Sequence, residues 1–353
     1  MTRPTQIVLA LLLVGCGSKG GDKQPVPNGK DDAGRVLLPA DDAAPVVLPP
    51  APPLPGIPAG LPALELPATV TPDAVALGEL LFWEPRLSVT SKTSCATCHD
   101  PARGFAGATR QDTATGKPHL RRAPTLVNLA WHKELGWDGR YQLMAEHLST
   151  HVQGQLGNDL GSAVARIYDV PGYRAHFTRL ANPIGVDAAT NALAAYVLTR
   201  YSGDAPWDRV ERSPDAPANI KAGYQLFNNK AQCSVCHTPP LYTDLRYHRL
   251  GLIASPDEGR GRVDPAQKGA FKTPTLRGAA AREGFFHDGS ATSLDAAIDW
   301  HLAGGLGHGA DPSIVDPALK KIALSVAERE ALGAFVRALT DPANPVPVKP
   351  ALP

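Results

Sequence analysis

Two short motifs contain the residue types that can attach a haem covalently. Each has two cysteines separated by two residues and followed directly by a histidine, at positions 95–99 and 233–237 of the 353-residue chain. Two thiols at this spacing reach the two vinyl groups of one haem, and the histidine then lies under the iron as its proximal ligand. The sequence therefore predicts two covalently bound haems c. The predicted attachment residues are Cys95, Cys98, Cys233 and Cys236, and the predicted proximal ligands are His99 and His237.

The cysteine count agrees with this use of the thiols. The chain has five cysteines, so the two motifs leave only Cys16. The alternatives are a zinc site made of the four motif cysteines, or two surface disulfides, and neither needs a histidine directly after each pair. Thioether bonds to haem would consume all four thiols.

The N-terminus predicts an exported lipoprotein. Arg3 precedes the apolar run Ile7–Val14, which is too short to span a bilayer, and Leu13–Cys16 resembles a bacterial lipobox. We therefore predict that residues 1–16 are a signal peptide and that Cys16 is lipidated, which would anchor the protein to a bacterial membrane in the periplasm. An ordinary signal peptide with a chance cysteine is the alternative.

The next segment, residues 17–68, is predicted to be a disordered linker. It is rich in Pro, Gly, Asp and Ala, as in Leu48–Pro55, and it has no apolar periodicity. In polyproline geometry about 50 residues could reach on the order of 150 Å, at ~3.1 Å per residue.

The remaining chain is predicted to be mainly α-helical. Thr71 caps a helix that runs through Phe82, a second helix covers Asp187–Tyr201, and the capping box Ser325–Glu328 opens a helix that ends near Leu339. No sustained alternation typical of strands is present. The formal net charge of +1 gives no reason to expect nucleic acid as a partner.

An internal duplication indicates two related domains. Three blocks recur in the same order, the last two at an offset of 150 residues. The join lies near residues 203–217, so we assign cytochrome c-type domains to residues 69–210 and 211–341, followed by a tail at 342–353. The recurring blocks are Gly78–Phe82 with Gly223–Phe227, Pro124–Leu126 with Pro274–Leu276, and Trp137–Gly139 with His287–Gly289.

The sixth iron ligand decides whether a haem is open to small molecules. Apart from Met1 the only methionine is Met144, so at most one haem has a His/Met pair. The 150-residue offset aligns His151 with His301, and we predict His301 as a distal ligand and His151 as a distal ligand or acid/base group. Two further candidates are His147, one helical turn before His151, and His119 in a loop; the histidines left as structural or surface residues are His132, His176, His248 and His308.

The chain resembles the bacterial dihaem cytochrome c peroxidases and the related methylamine-utilisation dihaem enzymes, over roughly residues 72–341. Besides the two haem motifs, the resemblance rests on Leu81–Ser88, Arg122–Leu126, Trp137–Arg140, Phe271–Arg277 and Phe286–Ser290.

The resemblance implies two cytochrome c domains that face each other. It places a peroxide-reducing haem in the first domain and an electron-accepting haem in the second, with a small cytochrome c or cupredoxin as donor. It also implies a tryptophan between the haems, matched here by Trp137, whose alternative role is packing alone. A glutamine and a glutamate lie over the peroxidatic haem in the family; here His147 holds the glutamine position and Gly157 stands near the glutamate position.

Two other positions depart from the family pattern. His301 stands where the family has the distal Met or Tyr of the second haem, and a bis-histidine haem has a lower potential than a His/Met haem. Arg122 stands where the family has an asparagine that helps to hold an inter-domain calcium ion. A guanidinium repels Ca²⁺ at short range, although Thr273 and Thr275 could still offer carbonyls, so we expect calcium to bind weakly or not at all.

These observations favour an oxidoreductase that reduces hydrogen peroxide with electrons from a small periplasmic redox protein. In this hypothesis His99 holds the reactive haem, His237 and His301 hold the electron-accepting haem, and His151, His147 and Trp137 are the other site residues. A non-catalytic electron-transfer protein, in which His151 and His301 close both haems, is one alternative. An oxidase of another substrate is a third hypothesis.

Overall fold

The helices of the chain are short and are joined by long, ordered loops. The computed structural model describes residues 46–180, 185–211, 213, 215–252, 257–305, 314–343 and 345–353. Within these residues the α-helices are α1 (Pro72–Trp83), α2 (Cys95–Cys98), α3 (Met144–Gln155), α4 (Leu160–Tyr168), α5 (Pro171–Arg179), α6 (Val186–Leu198), α7 (Pro206–Val210), α8 (Ala218–Asn228), α9 (Leu294–Leu302) and α10 (Val326–Arg337). The strands are β1 (Tyr247–His248) and β2 (Phe271–Lys272), which pair antiparallel.

The prediction of a mainly helical fold is confirmed, and the helix ends follow from local capping. The Thr71 hydroxyl accepts a hydrogen bond from the Ala74 amide at 3.2 Å and begins α1. Ser325 and Glu328 form the predicted capping box of α10. Helix α6 ends at Leu198, three residues before the predicted end, and the Thr199 hydroxyl bonds back to the Ala195 and Tyr196 carbonyls at that end.

Each repeat contains one close helix crossing that requires a glycine. A Cβ atom at Gly78 of α1 would lie 1.9 Å from the carbonyl oxygen of Ala192 in α6. A Cβ atom at Gly223 of α8 would lie 2.0 Å from the carbonyl oxygen of Ala331 in α10. Both distances are far below van der Waals contact, so only glycine lets these helix pairs pack. The two glycines begin the first recurring sequence block, and the duplication is therefore visible as the same helix contact.

The buried side chains form separate hydrophobic clusters in the two repeats. One cluster joins α1, α4, α5 and α6 through residues such as Leu77, Phe82 and Tyr196. A second joins α8 and α10 around Phe227 and Phe335. Division of the described chain into two cytochrome c domains stays a prediction.

The structure differs from the predicted linker at residues 46–68. Leu54 and Leu66 join a buried cluster with Val70 of the folded part, and Arg179 donates a hydrogen bond to the Pro49 carbonyl at 2.6 Å. The Asp204 amide bonds the Ala59 carbonyl at 2.7 Å. Extended proline-rich backbone has no internal hydrogen bonds, so its carbonyls are free to accept such bonds.

Several predictions about the chain termini and loops lie outside the described residues. These are the signal peptide at 1–16, the lipidation of Cys16, the linker up to residue 45, and the surface position of His308. Among the described helices, none has the length and apolar character needed to cross a bilayer.

Strand β1 is fixed to a distant loop by His248. Its Nε2 lies 2.9 Å from Asp244 Oδ2 and its Nδ1 lies 2.6 Å from Asp316 Oδ2. The hydrogen bond to Asp244, the largest of several causes, helps to raise the pKa of His248 to about 11. Both ring nitrogens therefore carry protons at neutral pH. Although Cys236, Asp244 and His248 lie close enough to hold a metal ion, a doubly protonated imidazole has no lone pair to offer it.

His248→Gln is expected to destabilise the holo-protein by about 1–3 kcal/mol at pH 6, because it removes two charge-assisted hydrogen bonds. With Cys236 bonded to haem, Asp244 and Asp316 still raise the pKa of His248, so the added stability is complete below pH 6.5 and is lost as the pH rises through the raised pKa. The difference in melting temperature from the native chain should therefore shrink between pH 6.5 and pH 10. His176→Gln in α5 is the control, and an equal loss in both variants at every pH would contradict the prediction.

Candidate dihaem site

The two Cys-x-x-Cys-His motifs lie against two cavities in the same way. The cysteines of the first motif lie in α2; in the second motif Cys233 begins the helical turn Cys233–Val235 and Cys236 follows it directly. All four thiols are free, and His99 and His237 line the cavities beside them. The arrangement of thiols and imidazole at one cavity wall fits a covalently attached haem at each motif.

Both predicted proximal histidines are oriented by backbone carbonyls. His99 Nδ1 lies 2.9 Å from the Pro124 carbonyl oxygen, and His237 Nδ1 lies 3.2 Å from that of Tyr242. A carbonyl only accepts, so Nδ1 carries the proton and Nε2 keeps its lone pair for iron. Burial lowers the pKa of His99, and burial together with His301 lowers that of His237 to about 4. Both imidazoles are therefore neutral, as a metal ligand must be.

His301 faces His237 across the second cavity. The ring centroids lie 6.2 Å apart. An imidazole nitrogen bonds a metal ion at about 2 Å and the ring centroid lies about 1 Å behind it, so two imidazoles on one ion have centroids about 6 Å apart. The Nδ1 of His301 donates to the Ala297 carbonyl at 2.7 Å, one turn earlier in α9, and this leaves Nε2 free. The pair fits a six-coordinate haem iron.

In the first cavity, His151 lies at the place that the 150-residue offset aligns with His301, and it lines the cavity wall in α3. Burial, with the nearby imidazoles of His147 and His99, places its pKa well below the usual value. The structure thus brings the two predicted distal histidines to equivalent places in the two repeats.

His147 lies beside His151 in the first cavity, with ring centroids 4.3 Å apart. Burial, assisted by His99 and Arg140, lowers the pKa of His147 to about 4. Its Nδ1 is buried and has no hydrogen-bond partner among the described residues, and the same is true of Gln155 Oε1. His119 and Met144 also line this cavity. The cavity therefore contains polar atoms that are available to a bound molecule.

The carboxylates near the first cavity are already paired with arginines. Asp138 accepts bonds from Arg121 and Arg140 at 2.8 and 2.9 Å, and Asp257 accepts from Arg121 Nη2 at 2.8 Å. Burial raises the pKa of Asp257, but the bonds from Arg121 and the Gly259 amide outweigh it and lower that pKa to about 2. Neither carboxylate is suited to the acid/base role that a glutamate has in the resembling family.

Trp137 lies between the two cavities and lines both of them. It is buried, and its indole Nε1 donates to the Arg122 carbonyl at 2.9 Å. The peptide around it is held by the other repeat, since the Lys272 amide bonds the Trp137 carbonyl at 2.8 Å. In the reverse direction the Arg122 amide bonds the His287 carbonyl, also at 2.8 Å.

The space expected for calcium is occupied by arginine donors. Arg122 Nε donates to the Phe286 carbonyl at 2.6 Å and Nη1 donates to the Gly107 carbonyl at 3.1 Å. The Thr273 and Thr275 carbonyls, which could have bound the ion, accept bonds from Thr243 at 2.7 Å and from Arg282 at 2.9 Å. A cation among these groups would meet two guanidinium groups, so the described residues do not fit calcium.

Sequence reasoning missed Arg282 and Asp257. Arg282 is 7% exposed and lines the second cavity, and Asp257 lines the first. Neither residue lies in a recurring block or beside a haem motif. Asp257 is bonded to Arg121, 136 residues earlier in the sequence. Arg282 is bonded to carbonyls 5 and 7 residues earlier. Only the folded chain shows where their charges point.

Comparison with known proteins agrees with this geometry. The family described as di-haem cytochrome c peroxidase matches residues 72–215. The chain is 37% identical to the methylamine utilization protein MauG of Methylorubrum extorquens, over 76% of this chain and 79% of that protein. It is 33% identical to the cytochrome-c peroxidase IdrP1 of Denitromonas iodatirespirans, over 79% and 85%. A solved MauG-like protein associated with microbial copper homeostasis superposes with a TM-score of 0.73 at 25% identity, over 81% of this chain and 95% of that one.

These matches confirm the resemblance drawn from the motifs, and they imply haem c as the cofactor. The first relative exceeds 30% identity over most of its length, and the matched region includes the first haem motif. The chain therefore belongs to the di-haem cytochrome c peroxidase family and is an oxidoreductase of that type.

Proposed function

We propose that this protein reduces hydrogen peroxide to water at the haem held by His99, with two electrons from a small cytochrome c or cupredoxin. The reaction is H₂O₂ + 2e⁻ + 2H⁺ → 2H₂O. The observation that carries the proposal is the difference between the two cavities. The first has a volume of about 490 Å³ and contains the unpartnered imidazole nitrogen of His147 and amide oxygen of Gln155, whereas the second has about 170 Å³ and opposing imidazoles 6.2 Å apart.

The haem supplies the redox chemistry when it is bound, and the protein supplies protons and positioning. His147 is neutral at physiological pH because its pKa is about 4, so it can take a proton from one peroxide oxygen. As a strong conjugate acid it can then return the proton to the leaving oxygen. The free Nδ1 of His147 gives it a position for this exchange, and the amide of Gln155 can orient the substrate.

His237 and His301 hold the electron-accepting haem in this proposal, and Trp137 lies on the path between the sites. The second site has no room for a substrate once both imidazoles bind iron, which suits electron transfer. Trp137 lines both cavities and is fixed at its indole nitrogen and at its carbonyl. A fixed aromatic ring at this place can couple the two haems.

We propose the finer organisation of the chain on the same basis. Two cytochrome c domains, at 69–210 and 211–341, would face each other across the bonds between Arg122, His287, Lys272 and Trp137. The signal sequence pattern and Cys16 support a periplasmic lipoprotein with a lipid anchor only.

A closed electron-transfer protein is the second candidate function. One observation favours it, namely that His151 lines the first cavity at the place that the 150-residue offset aligns with His301 in the second. If His151 bound iron as His301 does, the first haem would have no position for peroxide.

Low-temperature electron paramagnetic resonance of the oxidised and half-reduced holo-protein separates these candidates. The peroxidase proposal expects a high-spin ferric signal from the first haem in one of these states, together with peroxide turnover. If both haems stay low-spin and peroxide is not consumed until His151 is replaced by alanine, the electron-transfer candidate is correct. The His176→Ala variant serves as the matched control because α5 lines neither cavity.

A further inference from the structure

Arg282 is a buried cation whose neighbours do not neutralise it. Its Nη1 and Nη2 donate to the Thr275 and Arg277 carbonyls at 2.9 and 2.6 Å. Its Nε is buried and has no hydrogen-bond partner among the described residues. The side chain lines the same cavity as Cys233 and His237.

Arg122 lines this cavity as well and has the same kind of partners. It is 3% exposed, and its hydrogen bonds go to the carbonyls of Phe286, Gly107 and Ala123. Burial lowers the pKa of Arg282 to about 9, and the nearby Arg122 lowers it further in the same sense. Burial also lowers the pKa of Arg122 to about 10, against the attraction of Asp288. The second cavity therefore has two neighbouring guanidinium groups that donate only to neutral oxygens.

Two other arginines among the described residues, one buried and one largely buried, are paired with carboxylates. Arg277, five residues before Arg282, is 1% exposed and makes two bonds to Asp208, at 2.7 and 2.9 Å. Arg121, the neighbour of Arg122, is bonded to Asp138 and Asp257. Burying a cation without an anion costs several kcal/mol, so the contrast points to an anion that Arg122 and Arg282 receive from outside the chain.

We propose that Arg282 and Arg122 bind the propionate carboxylates of the haem attached at Cys233 and Cys236. A haem bound in this cavity would bring two such carboxylates, and guanidinium groups bind carboxylates in a well-defined planar geometry. The Nε of Arg282 has no hydrogen-bond partner among the described residues, and a propionate oxygen would accept its hydrogen bond. The inference rests on haem attachment at the second motif, which is part of the proposed function, but it does not depend on which substrate is reduced.

This contact has a consequence for the second haem. Ligation by His237 and His301 lowers the reduction potential relative to a His/Met haem. Two fixed cations beside the propionates disfavour the additional positive charge of the ferric state, which raises the potential. Arg282 and Arg122 thus act as positioning and electrostatic residues that keep a bis-histidine haem able to accept electrons.

The test is spectroelectrochemical titration of the second haem in the holo-protein as a function of pH. Arg282→Gln and Arg122→Gln are each expected to lower its potential. A propionate that loses an adjacent cation has a higher pKa. In each variant the pH-dependent fall of the reduction potential should therefore occur about 1–3 pH units higher than in the native protein. Arg282→Lys keeps the charge and should remain close to the native values.

Arg277→Lys is the matched control, since it alters a buried arginine that does not line either cavity. If the two glutamine variants leave the potential and its pH dependence unchanged, or if they change them no more than Arg277→Lys does, the proposal is overturned. If Arg282→Gln fails to fold, Arg122→Gln carries the same test. Peroxide turnover is measured separately, so that inactive holo-protein with the expected potential shifts would overturn the proposed function and not this inference.

Discussion

Replacing His147 with leucine is expected to lower the turnover number for hydrogen peroxide by about 10²–10⁴-fold, because it removes the proposed acid/base group of the first cavity. The Nδ1 of His147 is buried at this cavity and has no hydrogen-bond partner among the described residues. His147→Gln keeps a polar atom at the place where the family has glutamine, and it should retain more activity than leucine. Stopped-flow reduction of peroxide by the pre-reduced holo-protein measures both.

His132→Gln provides the matched control for this experiment. Its Nε2 is also buried without a partner among the described residues, but the side chain lines neither cavity. Turnover in this variant should stay within a factor of two or so of the native value, as expected for a residue outside the site. If His147→Leu is as active as His132→Gln, proton transfer does not pass through His147.

Replacing His301 with methionine is expected to raise the reduction potential of the second haem by on the order of 0.1 V, because a His/Met pair favours ferrous iron more than a His/His pair does. Replacement with alanine should instead open the iron, giving a high-spin signal in place of a low-spin one. The centroid distance of 6.2 Å between His237 and His301 is the basis of both expectations.

The first haem is the internal control, since His301 does not line its cavity. Its potential and spin state should not change in either variant. A second haem that remains low-spin in His301→Ala, with its potential unaltered in His301→Met, would show that another group closes the iron.

The haem attachment sites could be predicted from sequence because their geometry is local. Two cysteines and a histidine within five residues are positioned by one helical turn, whatever the rest of the chain does. The alignment of His151 with His301 was also predictable, since a duplication preserves position within a repeat. The structure adds that each of these histidines lines the cavity of its own repeat.

The contacts between the repeats could not be predicted in the same way. The bond from Arg122 to Phe286 joins residues 164 positions apart, and that from Arg121 to Asp257 spans 136. No periodicity or spacing relates such pairs. The contacts of residues 46–68 with the folded part were also missed. A proline-rich composition predicts extended backbone, but it does not show whether the folded part has donors, such as Arg179, that bind the carbonyls of this backbone.

The Arg122 amide donates to the His287 carbonyl, and the Lys272 amide donates to the Trp137 carbonyl. Lys272 lies 150 residues after Arg122, and His287 lies 150 residues after Trp137. The second bond therefore repeats the first with the two repeats exchanged. Contacts that occur twice with their roles exchanged are characteristic of a symmetric homodimer. The chain therefore has the internal contact pattern of two identical subunits that were fused and then diverged. Fusion allows the two copies to diverge, and the two cavities of this chain do differ in volume, at about 490 Å³ in the first repeat and about 170 Å³ in the second.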